Sequence, residues 1–186
     1  MQQKLFIGID LDTHFKRAIS RAIRPWQELP IKWHKEDSFH VGLITIGWVS
    51  DSDFLQIENA LLELSAKTPS FSLSFTKVVA RSKDINKTDP RDAQRVQVIG
   101  EDSEMLKELY YAIGKALHLP LGKNVSFRPV IALGSMRAQK WQELTEYPPM
   151  EMPLPFEMDV SALTLFESTH VDDTWQFEPV CVFDLR

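Results

Sequence analysis

The stretch from residue 39 to residue 49 reads Phe-His-Val-Gly-Leu-Ile-Thr-Ile-Gly-Trp-Val, and the interpretation of the whole chain starts from it. Its apolar residues alternate well enough to predict a strand in the centre of a sheet. His40 lies near the start of this strand, and Gly42 follows two positions later on the same face. The stretch therefore predicts a core strand that also holds a candidate site.

The segments around this strand alternate between strand and helix patterns. Strands are predicted over residues 4–10, 31–33, 71–80, 95–99, 127–133, 156–166 and 175–183. Helices are predicted from Leu11-Asp12-Thr13 to the break at Pro25, from the cap candidates at 50–53 to Thr68, over Met105 to Leu117, and over Ala138 to Leu144. Residues 82–92 predict an exposed loop, and the prolines around 148–155 predict a rigid turn. This order is typical of an α+β fold.

The length and composition indicate an ordinary globular protein. A chain of 186 residues is long enough to bury a core and is expected to form one domain, or two small lobes that fold as a unit. Hydrophobic residues make up 44% and charged residues 25%, so neither disorder nor membrane residence is indicated. No apolar run reaches the roughly 18 residues that a membrane span requires.

The single cysteine, Cys181, excludes an intramolecular disulfide and a cysteine zinc cluster. The start of the chain is too short and too polar to be the core of a signal peptide. We therefore expect a cytoplasmic protein. The net charge of −5 argues against a large non-specific nucleic-acid surface, although a cleft that holds one phosphate needs only a few donors.

Four segments together resemble a known family, the RNA 2',3'-cyclic phosphodiesterases once called 2'-5' RNA ligases, which belong to the two-histidine phosphoesterases. They are the opening Leu5 to Leu11, the Trp33 lead into residues 39–43, the Phe127-Arg128-Pro129 approach to Val130-Ile131-Ala132-Leu133, and the ending Leu163 to Ser168. The resemblance covers nearly the whole chain. It implies a single bilobed, pseudo-symmetric α+β domain over residues 1–186, with antiparallel sheets lining a central cleft and helices outside.

The family carries one H-x-[T/S] motif on each of two inner strands. Its histidines act as general acid and base on a cyclic phosphate, and its hydroxyls hold the phosphate oxygens. This chain keeps His40 but has Gly42 at the first hydroxyl position, and Val130 and Ala132 replace the second pair. The arginine that often follows the second motif is replaced by Ser135. His40 is thus the one residue on which a catalytic role can rest.

Three alternative functions are compatible with this incomplete pair of motifs. The first is a weakened or inactive member of the fold that binds a nucleotide or an RNA terminal phosphate between the lobes, at His40 and the motif-equivalent positions, with Arg128 beside them. The second is an active phosphodiesterase that uses His40 with a relocated acid. The third is a protein-interaction scaffold without a ligand. A cation such as Arg128, Arg137 or a lysine beside His40 would favour a ligand, and a cleft without any cation would favour the scaffold.

The remaining polar groups predict little chemistry. His14, His34, His118 and His170 are interpreted as surface histidines, because nothing in their spacing supports a replacement for the lost motif histidine. The residues 34–37, His-Lys-Glu-Asp, do not have a recognised metal-ligand spacing. We therefore expect no metal and no cofactor, no membrane contact and a monomer.

Overall fold

A computed structural model describes residues 2–80, 95–122, 127–137, 140, 143–144, 151–171 and 174–186. Within these residues the strands are β1 Gln3–Asp10, β2 Ile31–Trp33, β3 His40–Val49, β4 Phe71–Ala80, β5 Arg95–Gly100, β6 Val130–Met136, β7 Glu151–Val160, β8 Ala162–Val171 and β9 Thr174–Asp184. The helices are α1 Thr13–Ala22, α2 Asp51–Ser65 and α3 Glu104–Ala116, with short 3-10 turns at Arg24–Trp26 and Glu36–Ser38.

Each α-helix begins at a polar residue whose side chain caps it. Asp12 accepts a hydrogen bond from the Phe15 amide at 2.7 Å at the start of α1. Ser50 and Ser103 accept in the same way at the starts of α2 and α3. These side chains satisfy amides that have no partner inside the helix. The helix starts predicted near residues 12 and 50 are confirmed.

The strands form one antiparallel sheet in the order β7-β4-β5-β6-β3-β1-β8-β9, and β2 pairs with the far end of β6. The two halves of this sheet meet where Val41 of β3 is opposite Ile131 of β6. Only Ser161 separates β7, at one end of the order, from β8, near the other end. Because one residue spans that distance, the sheet is strongly curled. The predicted fold class, an α+β arrangement of antiparallel strands with helices outside the sheet, is confirmed.

Two predictions for the C-terminal third are wrong. Residues 151–155 form the start of β7 instead of a turn, and Pro153 and Pro155 are tolerated there because β7 is an edge strand that pairs only with β4. The single strand predicted over 156–166 is two strands, interrupted at Ser161. The loop predicted at 82–92 and most of the helix predicted at 138–144 lie outside the described residues.

The core lies on one face of the sheet, beneath the helices. Val41 and Ile131 point into it and are 1% and 0% exposed. Phe15 of α1 stacks on Phe156 of β7, with ring centroids 4.0 Å apart. The opposite face of β3 and β6 is thus left for a site. Among the described residues, no helix is long and apolar enough to cross a membrane.

Candidate functional site

The four motif positions lie together on the sheet face that points away from the core. Because β3 and β6 are antiparallel and Val41 is opposite Ile131, His40 lies opposite Ala132 and Gly42 opposite Val130. Directly opposed residues share a face, so all four belong to one patch. The sequence resemblance predicted this juxtaposition, and the strand register places the residues as it requires. Their roles in binding stay predictions.

His40 is held in one orientation by its own backbone turn. Its Nδ1 donates a hydrogen bond to the Ser38 carbonyl at 2.8 Å, which leaves Nε2 of the neutral ring as an acceptor. A Cβ atom placed on Gly42 would lie 3.9 Å from this Nε2. The basic nitrogen therefore faces the position where the resemblance places a hydroxyl.

Three phenylalanines surround the His40 ring. Phe6, Phe166 and Phe177 have ring centroids 4.8, 5.2 and 4.9 Å from that of His40. Phe6 and Phe166 also stack on each other at 5.0 Å. Such contacts restrict the ring to one rotamer, which a positioned base or phosphate ligand requires.

Burial lowers the pKa of His40 below its ordinary value, and Lys16 lowers it further. The hydrogen bond to Ser38 and the charge of Asp10, which is opposite His40 across β1 and β3, oppose this shift. Asp10 is itself paired with Lys16 at 2.8 Å. His40 is therefore mostly neutral at pH 7, in the state that accepts a proton or a hydrogen bond.

A pocket of about 470 Å³ opens next to His40. It is lined by Lys4, Leu5, Phe6, His40, Gly42, Thr45, Arg95, Ser168, Trp175 and Phe177. Two of these side chains are cations, and Thr45 and Ser168 supply hydroxyls. The sequence interpretation did not single out Arg95, Thr45, Ser168 or Phe177, because they come from strands far apart along the chain. Of these four residues, Arg95 was named in the prediction of a strand, because the alternation that predicts β5 starts at Arg95.

Arg128 lies beside two of the motif positions, although it does not line the pocket of His40. It is exposed, pairs with Asp102 at 3.3 Å, and lines a smaller pocket of about 190 Å³ together with Gly42 and Val130. Arg137 is exposed, lines neither pocket, and its amide donates to the Pro30 carbonyl. Gly42 thus lines both pockets, and the cations that line the pocket of His40 are Arg95 and Lys4.

The interpretation of His34 as a surface histidine is wrong. His34 is half-buried and, like His40, contacts the ring of Phe177, with centroids 6.4 Å apart. Burial lowers the pKa of His34, and His40, Arg95 and Lys32 lower it further. Sequence spacing did not indicate the burial of His34, because His34 follows β2 whereas Phe177, which covers it, belongs to β9. His14, His118 and His170 are exposed, as predicted.

An aromatic and cationic rim lies at the mouth of the pocket. Lys4 Nζ stands 4.5 Å from the ring centroid of Trp175, which is 41% exposed. Such a ring offers a flat face on which a nucleobase can stack. Within the described ranges, no group of three or more histidine, cysteine or acidic side chains is arranged to hold a metal ion.

This chain matches known proteins in its structure and not in its sequence. No family model matches the sequence. A search of curated proteins likewise gave no match. Among solved structures, Escherichia coli LigT in complex with NADP+ aligns over 100% of this chain and 99% of its own, with a TM-score of 0.74 and 18% identity.

Two further structures show the same arrangement. TT0787 of Thermus thermophilus has a TM-score of 0.72 and 16% identity, and the alignment covers 98% of both chains. The phosphodiesterase domain of MHV ns2 has a TM-score of 0.53 and 13% identity, over 89% of this chain and 98% of that domain. The alignments run nearly end to end, so the likeness concerns the complete strand and helix arrangement. This chain therefore has a LigT-like fold.

Proposed function

We propose that this chain binds a nucleotide, or the phosphate-bearing end of an RNA, in the pocket beside His40, and that its phosphodiesterase chemistry is weak or absent. The observation that carries the proposal is the orientation of His40, whose Nε2 faces a pocket that Arg95 and Lys4 also line. Two cations around one cavity form a site for an anion, and a phosphate beside Nε2 favours the protonated imidazole, which then donates a hydrogen bond to it. These cations also count against a scaffold without a ligand.

Weak chemistry follows from the side chains that the patch lacks. Gly42 and Ala132 have no hydroxyl to stabilise charge on a phosphoryl oxygen, and Val130 can transfer no proton. Loss of one such donor costs about 10²–10³ in rate, and loss of a general acid or base costs about 10²–10⁴. Binding suffers less, because cations hold a phosphate without transferring protons.

Proteins with this fold support a nucleotide as the ligand. Solved structures of Escherichia coli LigT include complexes with NADP+, 3'-AMP and ATP. A phosphate complex of the same protein has a TM-score of 0.66 to this chain. The ligands share a phosphate and, in three cases, an adenine. An adenine ring would suit the exposed Trp175 face at the mouth of the pocket.

Calorimetric titration tests the proposal. We expect 3'-AMP and a short RNA with a 3'-phosphate to bind, and His40→Gln to weaken both by about tenfold, since a hydrogen bond to a charged group contributes about 1.5–3 kcal/mol. His14→Gln is the matched control, because His14 is exposed on α1 outside the pocket. No binding of any nucleotide or RNA to the unmodified chain would overturn the proposal.

One observation favours a second function, a phosphodiesterase with a relocated acid. His34 and His40 both contact the ring of Phe177, and His40 lowers the pKa of His34. One neutral and one protonated imidazole can take a proton from water and give one to the departing ribose oxygen. Since both pKa values lie below the ordinary value, this state is most populated on the acidic side of pH 6.5.

Turnover of an RNA 2',3'-cyclic phosphate, followed from pH 5 to pH 8, separates the two functions. An enzyme of this kind would show a rate maximum below pH 6.5, and both His34→Gln and His40→Gln would abolish turnover. Binding without turnover at any of these pH values would leave the first function. Turnover that survives both substitutions would exclude this histidine pair as its source.

A further inference from the structure

The strand register brings two cations together on either side of Ser135. Ser135 of β6 is opposite Lys32 of β2 and opposite Arg95 of β5. Directly opposed residues on neighbouring antiparallel strands share a face. Lys32, Ser135 and Arg95 therefore form a row across three strands, which we call the Ser135 row.

A bulge in β6 turns this row towards the His40 pocket. Val96 is opposite Gly134 and Gln97 is opposite Ala132, so Leu133 is an extra residue in the ladder. Leu133, Gly134 and Met136 are all buried, whereas Ser135 is exposed. Ala132 and Ser135 consequently lie on the same face at a spacing of three residues, instead of the usual two or four.

His34 connects the row to His40. Its amide donates to the carbonyl of Leu133, the bulged residue, at 2.8 Å. Lys32 and Arg95 lie beside Ser135 by the strand register, and their charges, with that of His40, lower the pKa of His34 further after burial. Arg95 also lines the pocket of His40. Three basic side chains thus continue the pocket beyond the motif patch.

The backbone of the row is set apart from that of the motif patch, although the Arg95 side chain reaches the pocket of His40. Ala132, which is opposite His40, and Ser135 are three positions apart along β6. At about 3.3 Å per residue, shortened by the bulge, this separation is roughly 7–10 Å. One phosphate does not span that distance, whereas two phosphates joined by a ribose do.

We propose that the Ser135 row, with His34, is a second anion site that holds a second phosphate of the ligand. This inference rests on the proposed function, and it narrows the ligand to one with two phosphates about one nucleotide apart, such as the last two linkages of an RNA strand. His40 takes the terminal phosphate. Lys32 and Arg95 take the preceding one, with the Ser135 hydroxyl available as a further donor.

Titration with a matched pair of ligands tests this assignment. Adenosine 3'-phosphate carries one phosphate, and adenosine 3',5'-bisphosphate carries two on the same nucleoside. We expect the bisphosphate to bind at least about tenfold more tightly, and this advantage to decrease in Lys32→Gln while the monophosphate keeps its affinity, because Lys32 belongs to the row and does not line the pocket of His40. Lys67→Gln removes the same charge from an exposed residue that also does not line the pocket, and should keep the advantage.

The other outcomes are equally informative. Equal affinity of the two ligands would overturn the second anion site and leave the proposed function standing. An equal loss for both ligands in Lys32→Gln would also overturn it, since Lys32 would then hold the same phosphate as His40. Absence of binding for both ligands to the unmodified chain would overturn the proposed function itself, and this inference with it. Thermal melting of each variant verifies folding.

Discussion

Replacement of Gly42 with threonine returns a hydroxyl to the position beside His40, and the surroundings of Gly42 allow it. A Cβ atom there would meet only the His40 ring, at 3.9 and 4.0 Å, which is ordinary van der Waals contact. The glycine does not have a left-handed backbone conformation, since Gly47, at φ 100°, is the one described glycine with a positive φ. A β-branched residue also suits a strand. We therefore expect Gly42→Thr to fold at least as well as the unmodified chain.

The gain in affinity follows from one added hydrogen bond to a charged oxygen. Such a bond contributes about 1.5–3 kcal/mol, which corresponds to roughly a 10- to 100-fold lower Kd for adenosine 3'-phosphate. The hydroxyl lies next to Nε2 of His40, so the two groups can approach the same phosphate. Calorimetric titration of the two proteins measures the difference directly.

Gly42→Val is the matched control for this experiment. Valine has the shape of threonine without the hydroxyl, so it fills the same space and gives the same strand preference. We expect Gly42→Val to raise the melting temperature as threonine does and to leave the affinity unimproved. If threonine and valine give the same Kd, the terminal phosphate does not lie beside His40, and the reasoning from the motif positions is refuted.

Three further predictions concern the frame of the site and its titration. Gly8→Ala should lower the free energy of unfolding by about 1–3 kcal/mol, because the added Cβ would lie 2.7 Å from the Val41 carbonyl. Gly42→Ala should not lower it, because its Cβ has no close neighbour. Urea titrations that give the two variants the same stability would contradict this. Because burial lowers the pKa of both His34 and His40, the unfolded chain binds more protons than the folded chain just below pH 6.5. Stability should therefore be complete above pH 6.5 and fall as the pH decreases below it. In His34→Gln/His40→Gln this slope of unfolding free energy against pH should be smaller, and an unchanged slope would assign it to other groups. Burial and the nearby Glu58 carboxylate raise the pKa of Cys181, whose Sγ lies 3.7 Å from Glu58 Oε1. Alkylation of Cys181 at pH 8 should therefore be faster in Glu58→Gln. An equal rate would show that burial alone raises the pKa of the thiol.

Much of the fold was predictable because its signals are local. Alternating apolar residues gave β1, β3, β4 and β5, and polar caps gave the starts of α1 and α2. The two predictions for the C-terminal third were wrong for a non-local reason. Whether prolines end a strand depends on whether their missing amides face a partner, and residues 153 and 155 lie on an edge where they are tolerated. The position of an edge is a property of the whole sheet.

Some residues of the site were likewise predictable from local spacing, and others were not. The motif resemblance located His40, Gly42, Val130 and Ala132, since the spacing within each strand fixes which residues share a face. It missed His34 and Arg95, because their position beside His40 depends on the bulge at Leu133 and on Phe177 from β9. A bulge adds a single residue to the ladder, and nothing in the alternation around Leu133 marks it. Residues that a bulge redirects are thus the ones that sequence reasoning is least able to find.

The absence of the motif side chains is compatible with the LigT-like fold for one physical reason. Val41 and Ile131, which join the two halves of the sheet, point into the core, and the motif positions point away from it. Gly42 is exposed and Val130 and Ala132 are only partly buried, so the stability of the core does not depend on a histidine or a hydroxyl at these positions. The same face has room for cations, and Lys32 and Arg95 lie there in the Ser135 row. A sheet of this fold can therefore carry an anion site without proton-transfer groups, because a cation works from any neighbouring strand whereas an acid and a base must stand at fixed positions.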